Sequence, residues 1–287
     1  MAELGAGMTA INRWLPWLAA LVSAAAFVGA AERLKTVPRQ NVALEMQVAL
    51  PLFVQVFMAA GDRYLAADLA AIRALVVATD KMRPDEYRVL AKVQQDASWL
   101  NPAHEDNYYT AAAILPWNGE LDAAQTILAR ASAARFFDYQ PAFYYAFHLL
   151  HFKGDAVGAS AWLRQAAEKL PDDEERLIMQ NLAARWMDRA QDTDLAIRIV
   201  EAMAQQAKRK DFRAYLEQRV ERLRSLKELR SAADRYRERF GQPLVKLSDL
   251  VGAGLVAAIP PDPFGFGFDL DRTGQVILRT SPPAPAK

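Results

Sequence analysis

Three ten-residue words, GELDAAQTIL from Gly119, GDAVGASAWL from Gly154 and QDTDLAIRIV from Gln191, begin about 35 and 37 residues apart. Each sets a turn before a helix whose small and large apolar residues recur at helical spacing. Self-similarity at this period predicts a helical repeat array. Each pair of helices in such an array has an apolar flank that only the next pair can cover, so the units must stack in chain order. The abundant alanines suit this arrangement, because alanine is the best helix former and small side chains let two helices approach closely.

The first full unit places small residues at Ala112, Ala124 and Ala131, with Tyr108, Leu115 and Leu128 as large apolar partners. The second uses Ala159 and Ala166 with Leu163, and Pro171 closes it. The third uses Ala184 and Ala196 with Met187 and Val200. A degenerate unit precedes them, with helices expected over 64–77 and 84–98 and Pro102 as its closing proline. This pattern resembles the tetratricopeptide repeat, two antiparallel helices in 34 residues. Phe147 and Met203 stand where that pattern prefers a small residue. Ordinary helical hairpins are the alternative reading.

Residues 14–31, WLPWLAALVSAAAFVGAA, carry no charge. The run is at the short end of what spans a bilayer, and Trp14 and Trp17 suit the membrane–water interface. An N-terminal membrane anchor is expected. A signal peptide cleaved near Val28-Gly29-Ala30, or a buried soluble helix, would use the same residues. Basic residues are denser after the run, which favours a cytoplasmic body. A long domain behind a lone N-terminal anchor nevertheless crosses largely regardless of charge, so a periplasmic body at the bacterial inner membrane is expected. Residues 42–60 are apolar but interrupted by Glu45, Gln47, Gln55 and Pro51, and read as a buried or interfacial connection.

Residues 208–240 have apolar positions Phe212, Tyr215, Leu216, Val220, Leu223, Leu226 and Leu229 at helical spacing. Their basic residues outnumber acidic ones about two to one. A solvated outer face is expected, with a surface for anionic lipid or an acidic partner as the alternative. Gly241 and Pro243 then end the helix, Ser248–Val251 predicts a helical turn, and 266–270 with 275–279 predicts a small hairpin. The ordered set Tyr236, Phe240-Gly241, Pro243, Leu247, Leu250, Gly254-Leu255, Ile259-Pro260, Asp262-Pro263 and Gly265 resembles the segment after the long helix of type II secretion major pseudopilins. The prepilin cleavage pattern is absent, so the likeness covers only about 40 residues. The body as a whole, with GDRYLAADL from Gly61, LNP from Leu100, the repeats and this ending, resembles an uncharacterised bacterial group of anchored tetratricopeptide proteins. That resemblance implies a single membrane segment before the body and no assigned activity.

The absence of cysteine excludes disulfides, thiolate metal sites and a cysteine nucleophile. A net charge of +1 gives no argument for nucleic acid. No phosphate-loop, nucleophile-elbow or HExxH word is present, so no catalytic residue and no cofactor are expected. His148 and His151 lie one helical turn apart, a spacing that can hold zinc, but no third ligand is evident. Asp262, Asp269 and Asp271 could serve calcium or simply shape turns. In repeat register Tyr109, Trp117, Tyr144, His148, His151, Asn181, Arg185 and Asp188 fall on the inner face, so they are expected to form a groove for an extended peptide or partner helix.

The expected architecture is mostly α: tail 1–13, transmembrane anchor 14–31, connection 32–60, repeats 61–207, basic helix 208–240, cap with a β-hairpin 241–280 and disordered tail 281–287. The expected role is a non-enzymatic, membrane-anchored interaction scaffold or assembly factor for an envelope complex of the type IV pilus or type II secretion kind. A soluble exported or cytoplasmic tetratricopeptide adaptor, and a metal-dependent factor using His148/His151 or the Asp cluster, are the alternatives.

Overall fold

The computed structural model describes residues 5–36, 48–77, 79 and 82–281. Its first helix, α1 (Gly5–Thr36), and the remaining elements fall into two separate units. The second unit runs through α2 (Leu52–Met58), α3 (Arg63–Leu75), α4 (Pro84–Leu100), α5 (Glu105–Ile114), α6 (Leu121–Ala134), α7 (Gln140–Lys153) and α8 (Ala156–Glu168). It continues with α9 (Asp173–Trp186), α10 (Thr193–Gln206), α11 (Lys210–Phe240) and α12 (Ser248–Gly252), and ends in β1 (Phe268–Leu270) and β2 (Val276–Leu278).

The recurring Gly/Asp words are helix boundaries. Gly154 ends α7 in the left-handed conformation, and the Asp155 carboxylate accepts from the Gly158 amide at 2.8 Å to cap α8. Asp172 and Asp192 cap α9 and α10 in the same way. Each supplies an acceptor for amides that lack a partner inside the helix.

Packing follows chain order. α3 packs on α4, α5 on α6 and α7 on α8; α6 meets α7, α8 meets α9, and α10 lies along α11. Ala112, Ala124, Ala131, Ala159, Ala166, Ala184 and Ala196 are all buried, as are Tyr108, Leu115, Leu128, Leu163, Met187 and Val200. Ala146 is fully buried, while its neighbour Phe147 lies on the half-exposed side of α7. Met203 is buried beside Ala204. A ladder of cations ties one turn to the next. Arg135 donates to the Ala103 carbonyl at 3.0 Å, and Lys169 donates to the Arg135 carbonyl at 3.0 Å.

Gly241 caps α11 with φ of 67°, and the chain after it folds back on the helix. Leu244, Leu250, Val256, Phe268 and Val276 join the same apolar core as α7–α11. β1 and β2 pair antiparallel, with Phe268 opposite Leu278 and Leu270 opposite Val276. Their turn is pressed against the incoming strap. A Cβ on Gly274 would lie 2.7 Å from the Leu244 carbonyl oxygen, and its φ is +78°.

Two expectations, on residues 42–60 and on the basic helix, need correction. α1 starts before Trp14 and runs past Ala31, so the apolar run lies inside a longer helix. It is helical as foreseen, and among the described residues no helix is long and apolar enough to cross a membrane. Part of the 42–60 connection, 42–47, lies outside the described residues, as does the tail from 282. The remainder is buried only at Ala59: Pro51 starts α2 instead of kinking a longer helix, and Phe53, Phe57 and Met58 are exposed. Finally, the basic face of α11 is not all solvated, because Arg219 and Arg222 are buried.

Candidate functional site

The expected groove residues fall into two groups. The first lies on α5, α7 and the 3₁₀ turn Pro116–Asn118 between α5 and α6. Tyr144, Phe147 and His151 share one stripe of α7, at spacings of three and four residues. The Tyr109 and Tyr144 rings meet edge to face at 5.6 Å. Tyr109 donates its hydroxyl hydrogen to Gln140 Oε1, and burial together with that neighbouring tyrosine pushes the Tyr144 hydroxyl up to about 12. Further along, the Phe147 and His151 rings stack at 5.3 Å, and Trp117 packs on His151 at 5.1 Å and on Phe152 at 4.9 Å. Trp117 is 60% exposed despite these contacts.

His148 belongs to the same helix but not to an open face. It is 2% exposed, and its Nε2 lies 3.1 Å from the Ala112 carbonyl oxygen of α5. A carbonyl only accepts, so Nε2 bears the hydrogen and Nδ1 is left as a buried atom without a hydrogen-bond partner. Burial, with His151 adding to it, pushes the imidazole down to about 4, so His148 is neutral at pH 7. It is a strut between successive hairpins and a correction to its place in the groove.

The second group lies between α9 and α11. Asn181 Oδ1 accepts from the Tyr215 hydroxyl at 2.7 Å, which accepts from Arg219 Nε at 2.8 Å. Arg219 Nη1 donates to both Asp188 oxygens at 2.7 Å. Burial works against the Arg219 charge, but Asp188 and Tyr215 outweigh it and hold its pKa above the usual guanidinium value. Burial pushes the Asp188 carboxyl upward while Arg219, Arg222 and Arg185 pull it back. Asn181 and Asp188 are therefore engaged within the chain. The partners of both come from α11, through Tyr215 and Arg219. Arg185 remains exposed at the mouth of a cavity that Asp188 also lines, and none of the other six groove residues reaches that cavity.

The metal-ligand candidates are also dispersed. Among the described residues no group of three or more His, Asp or Glu is placed to hold a metal ion. Asp262 accepts from the amides of Phe264, Phe266 and Gly267 and pairs with Arg222 at 3.0 Å. Asp269 pairs with Arg279, and Asp271 closes the hairpin turn through Thr273 and Gln275.

The arginines around Asp188 were missed in the sequence, although a signal was present. Arg219, Arg222 and Arg230 fall among Leu216, Val220, Leu223, Leu226 and Leu229, inside the apolar stripe of an otherwise regular amphipathic helix. Cations at such positions have partners or ligands.

Comparison with protein-family models, curated proteins and solved structures gives no match.

Proposed function

We propose that the chain is a non-enzymatic interaction scaffold of the tetratricopeptide type that binds a segment of a partner protein across α5 and α7. The observation that carries this reading is the aromatic patch of Trp117, Phe147 and His151, continued along α7 by Tyr144 and across to α5 by Tyr109. Rings clustered on a rigid helical face, here with Trp117 and His151 exposed and the others half-buried, bury large apolar area with little loss of side-chain freedom, which is how peptide-binding surfaces gain affinity. The neutral His148 strut and the Tyr109–Gln140 bond hold that face in place.

The scaffold is held at a bacterial inner membrane through α1, with its body on the periplasmic side, and serves an envelope assembly of the type IV pilus or type II secretion kind. Support comes from α1, whose Trp17, Leu18, Leu21, Val22 and Phe27 are exposed apolar residues. α2 and α3 add to it with exposed Phe53, Phe57, Leu65, Leu69 and Ile72. Apolar surface of this extent suits lipid better than water.

The test is capture of partners from solubilised membranes with the full chain and with Trp117→Ala/His151→Ala. Both side chains are exposed, so the fold survives. The same proteins recovered in equal amount with both would overturn the scaffold reading. Extraction of the chain by alkaline carbonate would overturn the anchor.

A further inference from the structure

The end of α9, the middle of α11 and the β-hairpin enclose a cavity of about 480 Å3. Its volume lies within the usual range for small-molecule sites. Arg185, Arg189, Arg219, Arg222, Arg230 and Arg279 line it, and Asp188 is its only lining carboxylate among the described residues.

These charges are incompletely neutralised inside the protein. Asp188 takes Arg219, and Asp269 takes Arg279 at 3.0 Å. Asp262, which does not line the cavity, takes Arg222 at 3.0 Å. Arg230 bonds only neutral oxygens, those of Val276 at 3.0 Å and Thr193 at 2.7 Å being the shortest. Arg185 and Arg189 make no hydrogen bond or ion pair among the described residues. Arg222 is 3% exposed, and its Nε is a buried donor with no hydrogen-bond partner. Like charges gathered against a low-dielectric wall repel one another and lose hydration. A cleft lined by one sign of charge concentrates the opposite ion.

We propose that this cavity binds a small phosphate-bearing ligand, its phosphoryl oxygens held by Arg185, Arg189, Arg222 and Arg230. Guanidinium groups present paired donors that match phosphate oxygens. A phosphate carries close to two negative charges and three strong acceptor oxygens, so it meets this surplus of donors better than a single carboxylate. Trp186, Phe266, Ile277 and Leu278 also line the cavity and give an apolar body of the ligand a place to rest. The bound anion would bridge α9, α11 and the hairpin. This site lies apart from the aromatic patch and does not rest on the scaffold reading.

The experiment is calorimetric titration of the purified full chain with inorganic pyrophosphate, with succinate at matched ionic strength as the carboxylate comparison. Saturation at one site per chain is expected, at least tenfold tighter for pyrophosphate than for succinate. Arg185→Gln/Arg189→Gln changes only exposed side chains, so its thermal melt should stay unchanged while pyrophosphate binding weakens at least tenfold. Arg230→Gln should weaken it as well. Absence of saturable binding, equal or tighter binding of succinate, or wild-type affinity in the double variant would each overturn the proposal.

Discussion

The Asp262 carboxylate and the Arg222 guanidinium meet at 3.0 Å with side chains only 1% and 4% exposed. The pair joins the proline-rich strap to the long helix, across some 40 residues of chain. Asp262 also accepts three backbone amides of its own loop. One carboxylate therefore both shapes the loop and docks it. Removing one member of a buried ion pair costs about 3–5 kcal/mol, because the other charge stays buried. Asp262→Ala should lower the urea midpoint accordingly. Limited proteolysis should then cut within 241–280 before it cuts the helices.

His148 predicts a specific pH dependence. In the folded protein its imidazole is pushed down to about 4, below its ordinary 6.5. Between those values the unfolded chain binds a proton that the folded chain refuses. The contribution is fully present above pH 6.5 and is lost as pH falls toward 4, by up to about 3 kcal/mol. His148→Gln keeps a donor for the Ala112 carbonyl and cannot titrate. Unfolding free energies measured from pH 7 to 4.5 should fall less steeply in that variant, by close to one proton.

Gly274 predicts a local strain. A side chain there would need a left-handed backbone and would meet the Leu244 carbonyl oxygen at 2.7 Å. Gly274→Ala should cost roughly 2 kcal/mol. Amide exchange should rise in β1, β2 and the Pro243–Leu244 strap while α5–α8 keep their protection.

Ala159 tests the close approach of neighbouring helices. It is fully buried in the core shared by α7–α11. Ala159→Leu inserts bulk where the helices leave no room, so it should cost about 1–3 kcal/mol or more. The comparison is Ala161→Leu, on the partly exposed side of the same helix. That change should stay within about 0.5 kcal/mol by thermal melting, as for most surface substitutions.

The helices and the terminal hairpin were legible because their signals are local. Asp172 and Asp192 sit directly before the helices they cap, and Gly241 directly after the one it ends. The candidate site was less legible. Trp117, His151, Tyr109 and Tyr144 do cluster, because residues in equivalent positions of successive hairpins become neighbours. His148 shares that register but turns inward to Ala112. Asn181 and Asp188 are taken by Tyr215 and Arg219, since the long basic helix supplies side chains where the repeat pattern alone leaves open space.

Short-range order along the chain thus determined where helices begin and end and which small residues face a neighbour. These properties depend on backbone geometry and on side-chain size within a few turns. Tertiary structure alone decided which charges are buried. Arg222 and Asp262, or Arg230 and Val276, are tens of residues apart, and no periodicity connects them. Whether an arginine on α11 meets water, a carboxylate or an enclosed cavity depends on how the strap and hairpin fold back over it. Burial and the pairing of charge are properties of that three-dimensional closure.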